Sequence, residues 1–372
     1  MSPPRIAFLM PMHWSFSLGG AEMQVRLLLE RMVARGDFDL HFIAREADLA
    51  APAAGYTLHR LRSRRSIAGT YPLDVGPLLD LLDEIGPDVV YQRVGGAYTA
   101  AAAWYARRRG RRMVWHVSSN NDVAATPWRA DLRAPFEQLD RRLIDFGAAR
   151  ATRIVVQNRE QASAIQRRYG RADAIRIPNF HPLPAAAPRP RDARPVVAWV
   201  ANLKPLKQPE LFVRLAQDLR DRTDARFLMI GAQQMDGPAW EALQATIRSL
   251  PNLEYAGGLS PAEVNLRLAQ SHLLVNTSQY EGFPNTFIQA WMRELPVLSL
   301  NVDPDGLLDG TCYGRCARGS YEVLRDAVLA LLQDGAARER LGQASAAAAR
   351  ESFSEQNADR LIDLLAQEAR AS

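Results

Sequence analysis

The sequence has only two cysteines, Cys312 and Cys316, among its 372 residues. A disulfide framework needs more cysteines than this. A zinc site would need a second cysteine pair, or histidines at ligand spacing, beside them. We therefore expect both thiols to be structural, which excludes a disulfide-rich domain and a zinc-finger protein.

Long apolar runs are also missing. None approaches the ~20 residues that cross a bilayer. The first apolar run, Ile6–Met10, is followed by Pro11 and His13, so it predicts a first strand. It is too short for the core of a signal peptide, and no small-residue cleavage site follows it. A cytoplasmic location is the resulting expectation.

Excess charge is small, at a formal net charge of +5, and is concentrated in Arg60–Arg65 and Arg107–Arg112. The second run fits favourable cationic charge at a helix C-terminus, with Gly110 as the stop. The alternative is a patch that contacts anionic lipid, peripherally at the inner face of the plasma membrane, or a phosphorylated acceptor. Neither run alternates with aromatic residues, so a nucleic-acid partner is not expected.

The dinucleotide fingerprint G-x-G-x-x-G is absent, which disfavours a dehydrogenase. Gly19 and Gly20 instead follow the first predicted strand and precede a helix. Two glycines there allow close approach of a ligand to the backbone, and the helix offers free N–H groups. A tight turn explains them equally well.

Short β-branched runs alternate with amphipathic stretches along the chain, which predicts parallel sheets covered by helices on both faces. A proline-rich break, His181–Pro195, divides the pattern into two α/β units. We predict two Rossmann-like doubly wound domains, at 1–182 and 196–354, joined by a linker at 183–195. A last helix, within 355–372, lies beyond the second unit's pattern and is expected to pack back on the first. Representative predicted elements are the strands Asp88–Gln92, Met113–Val117 and Leu273–Asn276 and the helices Val75–Ile85, Ala97–Arg109 and Thr286–Arg293.

In doubly wound sheets, ligands bind outside the carboxyl ends of the strands, so the loops there are the candidate sites. His116 lies near the end of one predicted strand and is followed by a polar loop; it is either structural or functional. Lys204 and Lys207 follow another strand, just before a helix, where their charge would suit a phosphate ligand. Glu281 follows Leu273–Asn276 in a glycine-containing turn. Gln289 lies one helical turn after Asn285 and on the same face.

The segment Tyr280–Pro296 resembles the glutamate–seven–glutamate motif of retaining glycosyltransferases with the GT-B fold, in particular glycosyltransferase family 4. Its wording from Tyr280 to Thr286, YEGFPNT, is highly typical of that family. The order along the chain also agrees: the Gly-Gly loop, then His116, then Lys207, then Glu281. The resemblance implies two Rossmann-like domains that face each other across a cleft, with the acceptor on the N-terminal domain and the donor on the C-terminal one.

The resemblance assigns catalytic roles to Glu281, His116 and Lys207. Lys207 matches the lysine that contacts the donor's diphosphate, Glu281 the glutamate that holds hydroxyls of the transferred sugar, and His116 a histidine near that sugar. The remaining implied donor-binding residues face the phosphates, the sugar or the base: Gly19, Gly20, Asn202, Lys204, Gly231, Gly257, Gly258, Leu259, Gly282, Phe283, Pro284, Asn285, Thr286 and Gln289.

Two positions depart from the family pattern. Asn202 stands where the family usually has an arginine that neutralises the leaving diphosphate, and we hypothesise that Lys204 substitutes for it. Gln289 stands where the family has a second glutamate that binds the ribose hydroxyls. An amide accepts a weaker hydrogen bond than a carboxylate does, by about 1 kcal/mol.

The implied reaction is retaining transfer of a sugar from a nucleotide-diphosphate sugar to a hydroxyl, in synthesis of polysaccharide, lipopolysaccharide or another cell-envelope glycan. No cofactor and no obligatory metal are expected, and Asp303-Pro304-Asp305 predicts a turn. The acceptor would be a glycan or a lipid-linked glycan, with His13, Trp14, Asn120 and Asn121, and further Phe16 and Trp128, as candidate contacts. Two alternatives stay open: a nucleotide-sugar epimerase of the same fold, and a catalytically silent partner that binds nucleotide or glycan.

Overall fold

The computed structural model describes residues 2–50, 54–61, 72–124, 134–184 and 194–372. The chain divides into two compact units, Met1–Asn179 together with Gln356–Ser372, and Phe180–Glu355. The first unit thus ends three residues before the predicted boundary at 182, where the backbone N–H of His181 already donates to Phe353 O of the second unit. The part of the predicted linker at 185–193, the residues Arg62–Arg65 of the first arginine run, and Trp128 lie outside the described residues.

The first unit contains a seven-stranded parallel sheet in the order β3-β2-β1-β4-β5-β6-β7. Its strands are β1 Arg5–Met12, β2 Asp39–Glu46, β3 Thr57–Arg60, β4 Val89–Arg93, β5 Arg112–His116, β6 Arg153–Val156 and β7 Ile175–Arg176. Its helices are α1 Gly20–Arg35, α2 Val75–Ile85, α3 Ala97–Arg109, α4 Asn120–Val123, α5 Ala134–Ala148, α6 Arg159–Tyr169 and α13 Gln356–Arg370. The central strands are apolar on both faces because helices cover both, as expected for parallel sheets.

The second unit contains a six-stranded sheet in the order β10-β9-β8-β11-β12-β13, again with all pairs parallel. Its strands are β8 Val196–Val200, β9 Arg226–Ile230, β10 Leu253–Tyr255, β11 Leu273–Asn276, β12 Val297–Ser299 and β13 Gly314–Cys316. Its helices are α7 Pro209–Asp218, α8 Gly237–Ser249, α9 Pro261–Ala269, α10 Asn285–Trp291, α11 Tyr321–Gln333 and α12 Gly335–Ser352. The predicted fold class of two doubly wound parallel sheets is confirmed.

Helix ends in the first unit follow from local chemistry. Gly36, Gly86, Gly110 and Gly170 each follow a helix in the left-handed conformation, which ends α1, α2, α3 and α6. Arg107, Arg108 and Arg109 occupy the last turn of α3, in accord with the helix-end interpretation of that run. In the described part of the chain, no helix is both long and apolar enough to span a membrane.

Candidate functional site

The sheet order of the second unit determines where a ligand would bind. Strand order reverses between β8 and β11, which are neighbours in the sheet although 72 residues separate their ends in sequence. Ligands of doubly wound sheets bind at such a reversal, beyond the carboxyl ends of the strands. The loop after β8 contains Lys207, and the loop after β11 contains Glu281.

Lys207 and Glu281 form an ion pair across this point. The Lys207 Nζ atom lies 2.9 Å from Glu281 Oε2, and the two side chains are 19% and 18% exposed. The pair is therefore largely shielded from water, yet both side chains keep an exposed part that can meet a ligand. Both groups are presented by loops, which is where a rigid scaffold usually carries its functional residues.

Backbone contacts hold the two loops together. Thr277 Oγ1 lies 2.7 Å from the carbonyl oxygen of Lys207 and 3.0 Å from that of Gln208, which share its one proton, and it accepts from the indole Nε1 of Trp199. Gln279 N–H donates to Leu206 O at 2.9 Å. The Lys207 backbone is thereby fixed from both sides, which places its ammonium group beside Glu281.

The second carboxylate oxygen of Glu281 is bonded from its own loop. Ser278 Oγ donates to Glu281 Oε1 at 2.6 Å, and Asn276 Nδ2 donates to the same oxygen at 3.0 Å. Asn276 and Ser278 are buried. Glu281 is thus held by a buried hydrogen-bond network on one oxygen and by a cation on the other.

The loops after β8, β9 and β10 are also joined. Ala232 N–H donates to Asn202 Oδ1 at 3.2 Å, and Gly231 N–H donates to Gly257 O at 2.8 Å. A Cβ atom on Gly231 would lie 1.7 Å from Ala201 O, so only glycine fits there. Gly258 lies near Ala232, where a Cβ would be at ordinary contact distance, 3.4 Å, and Leu259 follows it, half-buried. The implied base-side residues therefore share one sheet edge with the Lys207–Glu281 pair.

The segment after Glu281 leads into the short helix α10, which begins at Asn285 and has Pro284 as its N-cap. Phe283 is buried against Trp291 and Phe353, so it anchors the segment while Gly282, Asn285 and Thr286 remain partly exposed. Gln289 is buried, and its Nε2 donates to Asn265 Oδ1 at 3.2 Å. The NH₂ group of Gln289, at the position of the family's second glutamate, thus points to Asn265 on α9.

In the first unit, Gly19 is the N-cap of α1 and Gly20 its first residue. Gly19 N–H donates to Glu22 Oε2 at 3.1 Å. The carboxylate is therefore bonded to one of the backbone groups that the resemblance assigns to phosphate.

His116 is the last residue of β5 and is buried. Its Nδ1 lies 2.7 Å from the Tyr91 hydroxyl, and its Nε2 has no hydrogen-bond partner among the described residues. Burial, with the nearby Arg93 charge adding to it, lowers the pKa of His116 well below its usual range. The imidazole is therefore neutral near pH 7.

The candidate acceptor residues are partly engaged within the first unit. His13 is buried, with Ser15 Oγ 2.7 Å from its Nδ1 and the Tyr56 hydroxyl 3.0 Å from its Nε2, and its ring lies against Trp14. Burial lowers the pKa of His13 to about 4, and the Arg26 charge adds to the effect.

In α4, Asn120 Nδ2 donates to Glu160 Oε2 at 2.7 Å, which ties this helix to α6. Asn121 and Phe16 are exposed. Of the acceptor candidates that the structure describes, these two are the more accessible.

The two aspartates around Pro304 lie in a turn. Asp303-Pro304-Asp305 opens a one-turn 3₁₀ helix at Pro304–Gly306, and Asp303 Oδ1 accepts from Leu308 N–H at 2.7 Å. Among the residues that the structure describes, no group of three or more histidine, cysteine or acidic side chains is arranged to hold a metal ion.

Sequence reasoning missed two features of this site. Asn276 and Ser278, which hold Glu281, stand five and three residues before it, and their polar character at the end of a buried strand was the available signal. The second missed feature is the rarity of lysine: of the 46 lysine and arginine residues in the chain, only Lys204 and Lys207 are lysines. The sequence otherwise uses arginine for every cation.

Together, the edge of the second sheet offers a lysine cation for a phosphate group, a fixed carboxylate for hydroxyl groups, and glycines that allow close approach to the backbone. A phosphorylated, hydroxyl-rich ligand fits this chemistry. In the first unit, described by itself, a neutral histidine and the N-terminus of α1 follow strands of its own sheet.

Comparison with known proteins gives the family. The model described as "Glycosyl transferases group 1" matches residues 194–334, and the model described as "Glycosyl transferase 4-like domain" matches residues 19–179. The comparison with curated proteins gives no significant match.

Similar solved structures extend over the whole chain. Sucrose-phosphate synthase from Thermosynechococcus elongatus has a TM-score of 0.80 at 16% identity, over 99% of this chain and 100% of that one. HepE of Anabaena, solved in complex with UDP-glucose, has a TM-score of 0.74 at 16% identity, over 98% of this chain and 99% of that one. WaaG, a glycosyltransferase involved in lipopolysaccharide biosynthesis, has a TM-score of 0.75 at 15% identity, over 96% of this chain and 99% of that one. At these identities, the likeness concerns the fold.

Proposed function

The chain belongs to the group 1 glycosyltransferases and has their two-domain Rossmann-like GT-B fold, and on this premise we propose that it transfers a sugar from a nucleotide-diphosphate sugar to a hydroxyl acceptor with retention of anomeric configuration. The observation that carries the proposal is the Lys207–Glu281 pair at the strand-order reversal of the second sheet.

In the proposed reaction, the bond between the anomeric carbon and the diphosphate oxygen breaks, and the sugar passes through an oxocarbenium-like state. The acceptor oxygen bonds to the anomeric carbon from the face that the diphosphate leaves, and the acceptor proton is lost. Lys207, with Lys204 and the Gly282–Thr286 backbone, stabilises the negative charge that develops on the leaving diphosphate. Glu281 accepts hydrogen bonds from the sugar hydroxyls, and neutral His116 lies near the sugar.

More specifically, we propose that the donor is a UDP-sugar and that the acceptor is a glycan of the cell envelope. Its support is that HepE was solved with UDP-glucose and that WaaG is involved in lipopolysaccharide biosynthesis. We further propose that the acceptor is a lipid-linked glycan reached from the cytoplasmic side, with Arg107–Arg112 toward anionic lipid. Flotation with phosphatidylglycerol liposomes tests this membrane contact, and absence of co-flotation contradicts it.

The rarity of lysine allows a direct test of the donor site. Reductive methylation with formaldehyde and borohydride modifies lysines and the α-amino group, so in this chain it reports on Lys204 and Lys207. A thermal-shift screen of UDP, GDP and ADP first selects the nucleotide, because a ligand that binds the folded state raises the melting temperature. We expect that nucleotide to slow methylation of Lys207, and the α-amino group is the internal control. Unchanged methylation at saturating nucleotide would contradict the proposed site.

Activity is then measured with the matching nucleotide sugars and a panel of glycan acceptors, with NMR of the product to read the anomeric configuration. Inversion contradicts the retaining mechanism. A new nucleotide-sugar isomer formed without acceptor contradicts transfer and supports the epimerase.

A catalytically silent binding partner is the second candidate. Two observations favour it: Asn202 is engaged with the Ala232 N–H, and Gln289 with Asn265, at the two positions where the family has charged residues. Comparison of the wild type with Glu281→Ala separates the two functions. Identical background rates of donor hydrolysis and transfer support the silent partner, whereas a loss in the variant supports the enzyme.

A further inference from the structure

The orientation of the Asn276 amide is fixed by the backbone. Its Oδ1 accepts from the Ser278 N–H at 3.1 Å, and a backbone N–H can only donate. The Nδ2 group must therefore be on the other side, where it lies 3.0 Å from Glu281 Oε1 and 3.2 Å from Ser278 Oγ. Asn276 thus faces the carboxylate as a donor.

The Ser278 hydroxyl has one proton, and its partners decide where that proton goes. It accepts from Asn276 Nδ2, so it donates to Glu281 Oε1, at 2.6 Å. Asn276 and Ser278 are 6% and 1% exposed, so water does not compete for these bonds. Two buried donors converge on one carboxylate oxygen.

The network is anchored on two adjacent strands. Asn276 is the last residue of β11, and Ser299, the last residue of β12, lies opposite it in register. The Ser299 hydroxyl lies 3.5 Å from Asn276 Oδ1 and accepts from Val302 N–H at 3.0 Å. Asn301 Nδ2 donates to Ser278 O at 3.3 Å. Rigid strands therefore position the loop that carries Glu281.

We propose that Asn276 and Ser278 are positioning residues that hold one oxygen of Glu281, so that its other oxygen meets Lys207 and the hydroxyls of the bound sugar. This inference rests on the proposed function and assigns roles in it to two residues that bond directly to Glu281. Groups held by a second layer of hydrogen bonds keep the productive geometry, and a displacement of about 1 Å costs roughly 100-fold in rate.

The first test compares Ser278→Ala with Ser345→Ala, a buried serine on α12 whose hydroxyl donates to Gly342 O of the same helix. We expect Ser278→Ala to lower kcat by about 10- to 100-fold, with the affinity for the nucleotide diphosphate changed less than about twofold. Ser345→Ala is expected to keep the wild-type kcat. Wild-type kcat in Ser278→Ala overturns the inference, and so does an equal loss of kcat in both variants.

The second test uses Asn276→Asp, which replaces the amide by a group of the same shape. At neutral pH the introduced carboxylate faces Glu281 as an acceptor, and the two repel. When protonated, it can donate again, so we expect its kcat relative to wild type to rise as the pH falls. A purely structural role predicts a ratio that does not depend on pH, and a flat ratio overturns the inference.

A third measurement does not depend on activity. If Asn276 and Ser278 hold Glu281 against Lys207, then Ser278→Ala loosens the ion pair, and methylation of Lys207 relative to Lys204 rises about two- to fivefold. An unchanged ratio overturns the positioning role. If the wild type transfers no sugar from any donor, the proposed function is overturned. If the wild type transfers sugar and the variants have the same kcat and the same methylation ratio, only this inference is overturned.

Discussion

At the scale of single residues, the site shows how two departures from the family pattern are accommodated. Asn202, at the position of the usual arginine, bonds through Oδ1 to the Ala232 N–H and so joins the loops after β8 and β9. It therefore contributes loop geometry and no charge. Lys204, two residues later, is exposed and, in the described part of the chain, forms no ion pair. Its ammonium group is accessible to an anionic ligand.

We therefore predict that Lys204→Ala lowers kcat about 100-fold, because it removes one of two lysine charges from the leaving group. Lys204→Arg is the matched control, since it keeps the charge and should retain most of the rate. Steady-state kinetics with the selected donor measures both. Wild-type turnover in Lys204→Ala would show that this cation does not compensate for Asn202.

Gln289 provides the second residue-scale prediction. Its Nε2 donates to Asn265 Oδ1, so a glutamate there requires the Asn265 amide to turn and donate instead. The new carboxylate would accept ribose hydroxyls more strongly, by about 1 kcal/mol, so Gln289→Glu should tighten nucleotide binding about fivefold. Calorimetry measures this, with the 2′-deoxy nucleotide as control. An equal gain for both nucleotides would place the effect away from the ribose.

At the scale of elements, the sequence predicted most of the sheet-forming strands and the helices with clear ends. Val75–Ile85 and Ala97–Arg109 have their predicted bounds because Gly86 and Gly110 follow them in the left-handed conformation. The strands β3, with the sequence TLHR, and β13, with the sequence GRC, were not predicted, since these residues carry little hydrophobic pattern. The helix α12 was not predicted either, because its sequence is rich in alanine and arginine and lacks a marked apolar face.

The site was predictable as a set of loops but not as a set of contacts. Glu281 and Lys207 were identified from residue type and from their places after strands. Their 2.9 Å contact depends on β8 and β11 being neighbours, a long-range pairing that no local pattern specifies. The partners of Gln289 and Asn202 were hidden for the same reason, because Asn265 and Ala232 lie on separate elements.

Close approach between elements gives the element-scale prediction. A Cβ on Gly231 would lie 1.7 Å from the carbonyl oxygen of Ala201, so Gly231→Ala must push apart the loops after β9 and β8. We expect it to lower the free energy of unfolding by about 3 kcal/mol and to weaken nucleotide binding. Gly237→Ala is the control, because a Cβ there meets nothing within 4 Å. Urea unfolding with equal midpoints for both variants would contradict the clash.

At the scale of the whole molecule, the chain leaves the first unit after Asn179 and returns to it at Gln356. The returning helix α13 packs on β1, β4 and β5, with Leu361, Ile362 and Leu365 almost fully buried. Near its end, the buried carboxylate of Glu368 lies 2.8 Å from Arg153 Nε. The last residues of the chain therefore contribute to the core of the first unit.

This connectivity predicts that a destabilising substitution in α13 lowers the stability of the first unit. Leu365→Ala should lower the free energy of unfolding by about 2–5 kcal/mol, through the cavity that it leaves. Hydrogen exchange should then accelerate in β1, β4 and β5 and stay unchanged in β8, β9 and β11, because local openings follow cooperative units. Leu266→Ala is the control, since that side chain is 44% exposed on α9. If exchange rises equally in both sheets, the two units unfold as one, and α13 stabilises the molecule as a whole.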